Sequence, residues 1–182
     1  MKALAIIFLA VLAAIVFGIV HDQITARVSI EYFTVAHPPM IGLGRSDSPT
    51  INGIYWGIVA TWWVGLPLGI GLAVAARAGK RPKLSARQLF HPILFLLICM
   101  LGIAAIAGLV GYILAENGSI ELNRWLARKI PSEQHSSFIA VGAAHFVSYL
   151  SGAIGGVVLW VWVWFRRKRL EPLAGPNALD ST

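Results

Sequence analysis

Apolar residues in this chain fall into four long blocks separated by polar stretches. The blocks run from Ala3 to Val20, Ile54 to Ala76, Pro92 to Leu114 and Phe138 to Phe165. A membrane-spanning helix needs about 20 consecutive apolar residues, so each block is long enough to cross a bilayer. The fourth rises about 42 Å at 1.5 Å per residue, which exceeds a hydrocarbon core of about 30 Å and calls for tilt or protrusion. The pattern predicts an all-α membrane protein: a four-transmembrane-helix bundle with helices at about 3–20, 54–76, 92–114 and 138–165 in one domain, 1–169. Pro92 is placed in the first turn of its helix, where no backbone N–H is needed.

The first block also resembles the apolar core of a secretory signal peptide. Gly18, Ile19 and Val20 precede His21, however, and a cleavage site wants small residues of the Ala-x-Ala kind. The expectation is an uncleaved first helix.

Between the blocks the periodicity changes. From Ile24 to Tyr32, ITARVSIEY alternates, with Ile24, Ala26, Val28, Ile30 and Tyr32 on one side and Thr25, Arg27, Ser29 and Glu31 on the other. That predicts a half-buried strand. Ser48 followed by Pro49 predicts a helix cap and first turn. Ile120 to Ile130 places Leu122, Trp125, Leu126 and Ile130 on one face and predicts a short interfacial helix. Strand and helix together form a small extracytoplasmic cap. The segment 170–182, with Pro172, Gly175 and Pro176, predicts a disordered cytoplasmic tail.

Composition agrees with the membrane reading. Of the 182 residues, 57% are hydrophobic and 13% charged, against about 25% charged in soluble domains. The net charge of +7 would suggest nucleic acid if the basic residues formed a separate patch. They flank the apolar blocks instead, so no nucleic acid partner is expected and the bilayer itself is. Lys2, Arg77, Lys80, Arg81, Lys83, Arg87 and Arg166 to Arg169 make ten of the 15 basic residues, all on one side of the four spans. The positive-inside rule makes that side cytoplasmic, with both termini inside. The expected location is a bacterial inner (plasma) membrane, with a membrane protein partner or a homo-oligomer as further company. Trp160, Trp162 and Trp164 precede the last basic cluster, where aromatic rings anchor at the interface. Cys99 is the single cysteine, so no disulfide framework or cysteine-rich zinc site forms within one chain.

The centres of the spans hold no Asp, Glu, Lys or Arg, which weighs against a charge-based ion path. The polar residues gather at the outer helix ends. Counting about 20 residues from the inner ends puts His21, Asp22, Glu116 and His145 at one height. On the fourth helix Gly142, His145, Ser148, Tyr149, Gly152, Gly155 and Gly156 share a stripe of small and polar groups, the kind that faces a neighbouring helix. Imidazole and carboxylate together suit a divalent metal, and the candidate ligands are His21, Asp22, Glu31, His37, Glu116 and His145. A bound metal would activate water or an oxygen species. The alternative is a hydrogen-bonded network. Pro67, among Gly65, Gly69 and Gly71, predicts a kink in the second span, and a broken helix can mark a transport site.

The stretch His21 to Pro39, HDQITARVSIEYFTVAHPP, together with AAHFVSYLSGAIGG from Ala143 to Gly156, resembles an uncharacterised family of bacterial multi-pass membrane proteins. The resemblance implies that the outer segment and the fourth helix belong to one architecture, and it implies no activity. Three readings follow from the residues: an accessory membrane protein whose outer polar cluster binds a partner, lipid or ligand; a metal-dependent membrane enzyme; and a small transporter. Three converging nitrogen or oxygen ligands would favour the enzyme.

Overall fold

The computed structural model describes residues 1–171, so the predicted tail lies almost wholly outside the described residues. The chain is helical: α1 Lys2–Val28, α2 Glu31–Val35, α3 Pro49–Val59, α4 Trp62–Arg77, α5 Ala86–Glu116, α6 Arg124–Ala127, a 3-10 turn Ser132–Gln134, and α7 His135–Leu170. Four stretches are long and apolar enough to cross a membrane: α1, α3 with α4, α5, and the 3-10 turn with α7. Helix α1 packs along both α3 and α4, and α5 packs along α7.

The predicted strand is absent; no strand occurs among the described residues. Helix α1 runs on through its first half, to Val28. The reason lies in a period of four that begins at the N-terminus. Leu4, Phe8, Leu12, Val16, Val20, Ile24 and Val28 are all exposed and form one apolar ridge. Residues four apart lie above one another on a helix, so Ile24 and Val28 extend a surface suited to lipid. The opposite side holds His21, Asp22, Thr25 and Ala26, all buried. Thr25 Oγ1 donates to the carbonyl of His21, and Arg27 holds the carbonyl and side-chain oxygen of Gln23.

The second span is broken at Ala60 and Thr61, one and a half turns before Pro67, which sits inside α4. Thr61 Oγ1 donates to the Gly57 carbonyl, and the amides of Val64 and Gly65 both turn to the Thr61 carbonyl. A side chain that bonds its own backbone in this way competes with the helix. Tyr149 reaches across from α7 and donates to the freed Ala60 carbonyl at 3.3 Å. Ser48 does cap α3, its hydroxyl accepting from the Ile51 amide, with Pro49 in the first turn.

Pro92 lies inside α5, which starts earlier because Ser85 and Gln88 form a capping box. The Gln88 carbonyl that Pro92 leaves without an amide receives Arg166 at 3.5 Å. The interfacial helix shrinks to the single turn α6, capped by Asn123 Oδ1. Trp160 is no surface anchor: its indole donates to the Leu68 carbonyl of α4 at 2.9 Å. Trp162 and Trp164 are exposed beneath Arg166 and Arg81.

At the end of the bundle where α4 stops, Arg167 is fully buried. Its guanidinium donates to the carbonyls of Ala75, Ala78, Arg81 and Pro82 at 2.7–3.0 Å. It thereby satisfies the end of α4 and the turn that follows, where helices leave carbonyls open.

Candidate functional site at one end of the bundle

His21 and Asp22 sit nearly two turns from the end of α1, and His145 lies about three turns into α7. The small-residue surface of α7 brings the helices together. A side-chain carbon at Gly152 would meet Met100, at Gly155 Leu96, and at Gly156 Leu68. On the other side of α1, Gly18 and Gly57 allow backbone-to-backbone approach of α1 and α3. His21, Asp22 and His145 are 4%, 5% and 7% exposed. One ligand atom from each lies within 4.8 Å of the other two.

The hydrogen bonds fix the arrangement. His145 Nδ1 is 2.9 Å from the Val141 carbonyl. A carbonyl only accepts, so Nδ1 carries the hydrogen. Its Nε2, a lone pair in the neutral ring and an N–H in the imidazolium, faces Asp22 Oδ1 at 3.1 Å. Two acceptors at that distance require a proton or a metal cation between them. His21 Nε2 is buried beside them without a hydrogen-bond partner. The His21 ring stacks on Phe17 at 5.6 Å and meets His145 edge-on at 4.6 Å.

The segment that follows α1 closes over this group. Tyr32 and Phe33 of α2 place their rings 4.5 and 5.7 Å from His145. Burial, with Tyr149 and Asp22 nearby, pushes the Tyr32 hydroxyl up to about 12, so it stays a neutral donor. His37 lies behind Tyr32, its Nδ1 donating to the Tyr32 carbonyl at 2.9 Å and its ring 4.6 Å from Trp56. Burial lowers the His37 pKa, as does the His145 ring, against the raising influences of the Tyr32 carbonyl and Asp22. Arg45 ties the segment back by donating to the carbonyls of Thr34 and His37.

Of the six residues proposed as ligands, the fold gathers His21, Asp22 and His145 and leaves the other three outside. His37 forms a separate aromatic layer. Glu31, the first residue of α2, accepts from Oγ of Ser29, the C-cap of α1, at 2.9 Å. Glu116 ends α5 on an exposed rim. Tyr32, Phe33 and Tyr149 border the cluster and were not singled out for it. The expected strand ended at Tyr32, and the helical turn Glu31–Val35 is what aims Tyr32 and Phe33 inward.

No family model, no curated protein and no solved structure matches the chain.

Proposed function

We propose that this multi-pass membrane protein binds a divalent transition metal between His21, Asp22 and His145 at the outer end of the bundle, and acts there as a metal-dependent membrane enzyme. The observation that carries this reading is the position of His145 Nε2, directed by the Val141 carbonyl at Asp22 beside the unpartnered Nε2 of His21. Metal-bound histidines characteristically give their second ring N–H to a backbone carbonyl or carboxylate, which sets the tautomer and aims the ligand atom. Two imidazoles and one carboxylate suit Zn²⁺ or Fe²⁺. Three protein ligands leave coordination positions free, the arrangement of reactive rather than structural sites. A metal there would lower the pKa of bound water or polarise a substrate oxygen. Tyr32, Phe33 and Phe17 limit the access of bulk water and strengthen each electrostatic contact.

The distribution of basic residues supports an inner-membrane orientation with both termini cytoplasmic and the cluster on the outer face. The broken second span supports transport less well. The cavity below the break is lined mainly by apolar residues, and a polar path across the bundle would be needed.

Metal content of the purified chain tests the proposal. The expected result is one Zn²⁺, Fe²⁺ or substituted Co²⁺ per chain, lost in His21→Ala and in His145→Ala and kept in Glu116→Gln and His37→Gln. A chain that takes up no metal when supplied with these ions, and whose His145→Ala form is merely less stable, would overturn it. The pair would then share a single proton.

A further inference from the structure

A narrow cavity of about 110 Å³ lies between α1, α4, α5 and α7. Its polar lining is confined to one end, where His21, Asp22, Thr61, His145, Ser148 and Tyr149 meet. The rest is apolar, from Ala14 and Leu68 down through Leu97 and Met100 to Leu159 and Trp160, whose indole N–H is already taken by the Leu68 carbonyl. All three candidate ligands therefore border the head of a dry, slender slot. Ala10 also lines it, 11 residues before His21 on α1, so its depth is about 16 Å at 1.5 Å per residue. One leaflet of a bilayer's hydrocarbon core is about 15 Å deep. A dry apolar cavity of about 150 Å³ takes one benzene ring, so about 110 Å³ drawn out over this depth suits one slender chain better than a ring system.

Resting on the metal reading above, we infer that the substrate is a single-chain amphiphile drawn from the bilayer, with an oxygen-donor head at His21, Asp22 and His145 and its hydrocarbon chain in this slot. An apolar cavity of this kind stays dry and takes apolar ligands. The polar head has three reasons to stop at this end: the coordination positions that three protein ligands would leave free, the Tyr149 hydroxyl and the unpartnered His21 Nε2. A linear acyl chain and a prenyl chain share this chemistry. A second, wider cavity of about 590 Å³ between α1, α5 and α7 also touches His21. Its walls carry only His21, Thr25 and Tyr112 as polar side chains, and neither Asp22 nor His145 borders it. It supplies a control.

The test uses the full chain in lipid nanodiscs, loaded with Co²⁺, whose visible spectrum reports ligands entering its coordination sphere. Dodecanohydroxamic acid and acetohydroxamic acid present the same chelating head on a long and a short chain. The long one is expected to bind at least about 100-fold tighter, since each methylene removed from water adds severalfold. Gly152→Leu should abolish most of that preference while Co²⁺ stays bound. Its first added carbon meets only Met100 Cε at 2.9 Å and Sδ at 3.7 Å, the movable end of a side chain that itself lines the slot. Gly102→Phe fills the wider cavity, where an added carbon meets nothing within 4 Å, and should leave the preference intact. Palmitic acid and farnesylacetic acid then compete for the hydroxamate. Displacement by either supports the inference, and the tighter one distinguishes acyl from prenyl. If Co²⁺ is not taken up, the metal reading itself fails. If Co²⁺ binds but chain length has no effect, if Gly102→Phe rather than Gly152→Leu removes the effect, or if neither acid competes, the metal site stands and the amphiphile inference is overturned.

Discussion

His145 Nε2 lies 3.1 Å from Asp22 Oδ1, across 123 residues of sequence, and both side chains are buried. Because His145 Nδ1 is committed to the Val141 carbonyl, this contact joins two acceptors through one cation. Asp22→Asn supplies a hydrogen of its own, since the amide N–H₂ donates to Nε2. Asp22→Ala supplies nothing and leaves a buried ring nitrogen unpaired, at a cost of about 1–3 kcal/mol. Thermal unfolding of the metal-free protein should therefore rank parent and Asp22→Asn close together and Asp22→Ala well below. Metal affinity should fall in both variants, because an amide is a poor substitute for a carboxylate ligand. Equal stability of all three would show that the pair contributes nothing to the fold.

Arg167 makes a separate prediction at the opposite end. Its planar fork reaches four carbonyls, on Ala75, Ala78, Arg81 and Pro82. A lysine ammonium is a single point with three donors and cannot span them. Arg167→Lys should then be nearly as damaging as Arg167→Ala, each costing about 2–4 kcal/mol. Arg169→Ala, outside this network, should be neutral. Rescue of stability by lysine would mean that the positive charge matters and the fork geometry does not.

The four spans were legible because lipid demands long apolar runs whatever the packing. The meeting of three polar side chains was legible, because helix rise gives height directly: His21, Asp22 and His145 come together, as the estimate of a common level required. Azimuth was the missing quantity. Glu116 shares the height but ends α5 on an exposed rim. The strand expectation failed for a related reason. Alternation at Ile24, Ala26 and Val28 ignored Leu4, Phe8, Leu12, Val16 and Val20, whose four-residue spacing continues through Ile24 and Val28. In a soluble protein that stripe would face a core, and here it faces outward. Arg167 resembled any other member of a basic cluster. Its burial depends on α4 ending beside it, which no local pattern records.

Two glycines in the spans should respond in opposite ways to alanine. A side-chain carbon at Gly57 would lie 2.5 Å from the Ile19 amide nitrogen and 2.7 Å from the Gly18 carbonyl carbon, and backbone cannot step aside. Gly57→Ala should push α3 from α1, cost about 1–3 kcal/mol as overpacking does, and weaken metal binding by shifting His21. At Gly102 the same carbon meets nothing within 4 Å. Gly102→Ala should be neutral or stabilising by up to about 1 kcal/mol, through the reduced freedom of the unfolded helix segment. Thermal melts of the two variants and of the parent decide the matter. A harmless Gly57→Ala would mean that α1 and α3 are not in backbone contact.

His37 gives the protein a pH dependence whose sign can be worked out. Its folded pKa is lowered from 6.5, chiefly by burial and further by the His145 ring, against the opposing Tyr32 carbonyl and Asp22. Below about pH 6.5 the unfolded chain takes up a proton at this position that the folded chain does not. Stability therefore rises with pH wherever the unfolded state binds more protons. The contribution of His37 is neutral above pH 6.5 and becomes increasingly unfavourable as pH falls from there towards the lowered folded value. Tyr32, the titratable group nearest to it on α2, stays protonated throughout, since its hydroxyl titrates at about 12. Thermal melts of the metal-free protein from pH 7.5 to 5 should show a falling midpoint, and His37→Gln should flatten part of that fall. The glutamine amide can still donate to the Tyr32 carbonyl, which separates loss of titration from loss of the hydrogen bond. An unchanged slope in His37→Gln would place the acid sensitivity entirely on other groups.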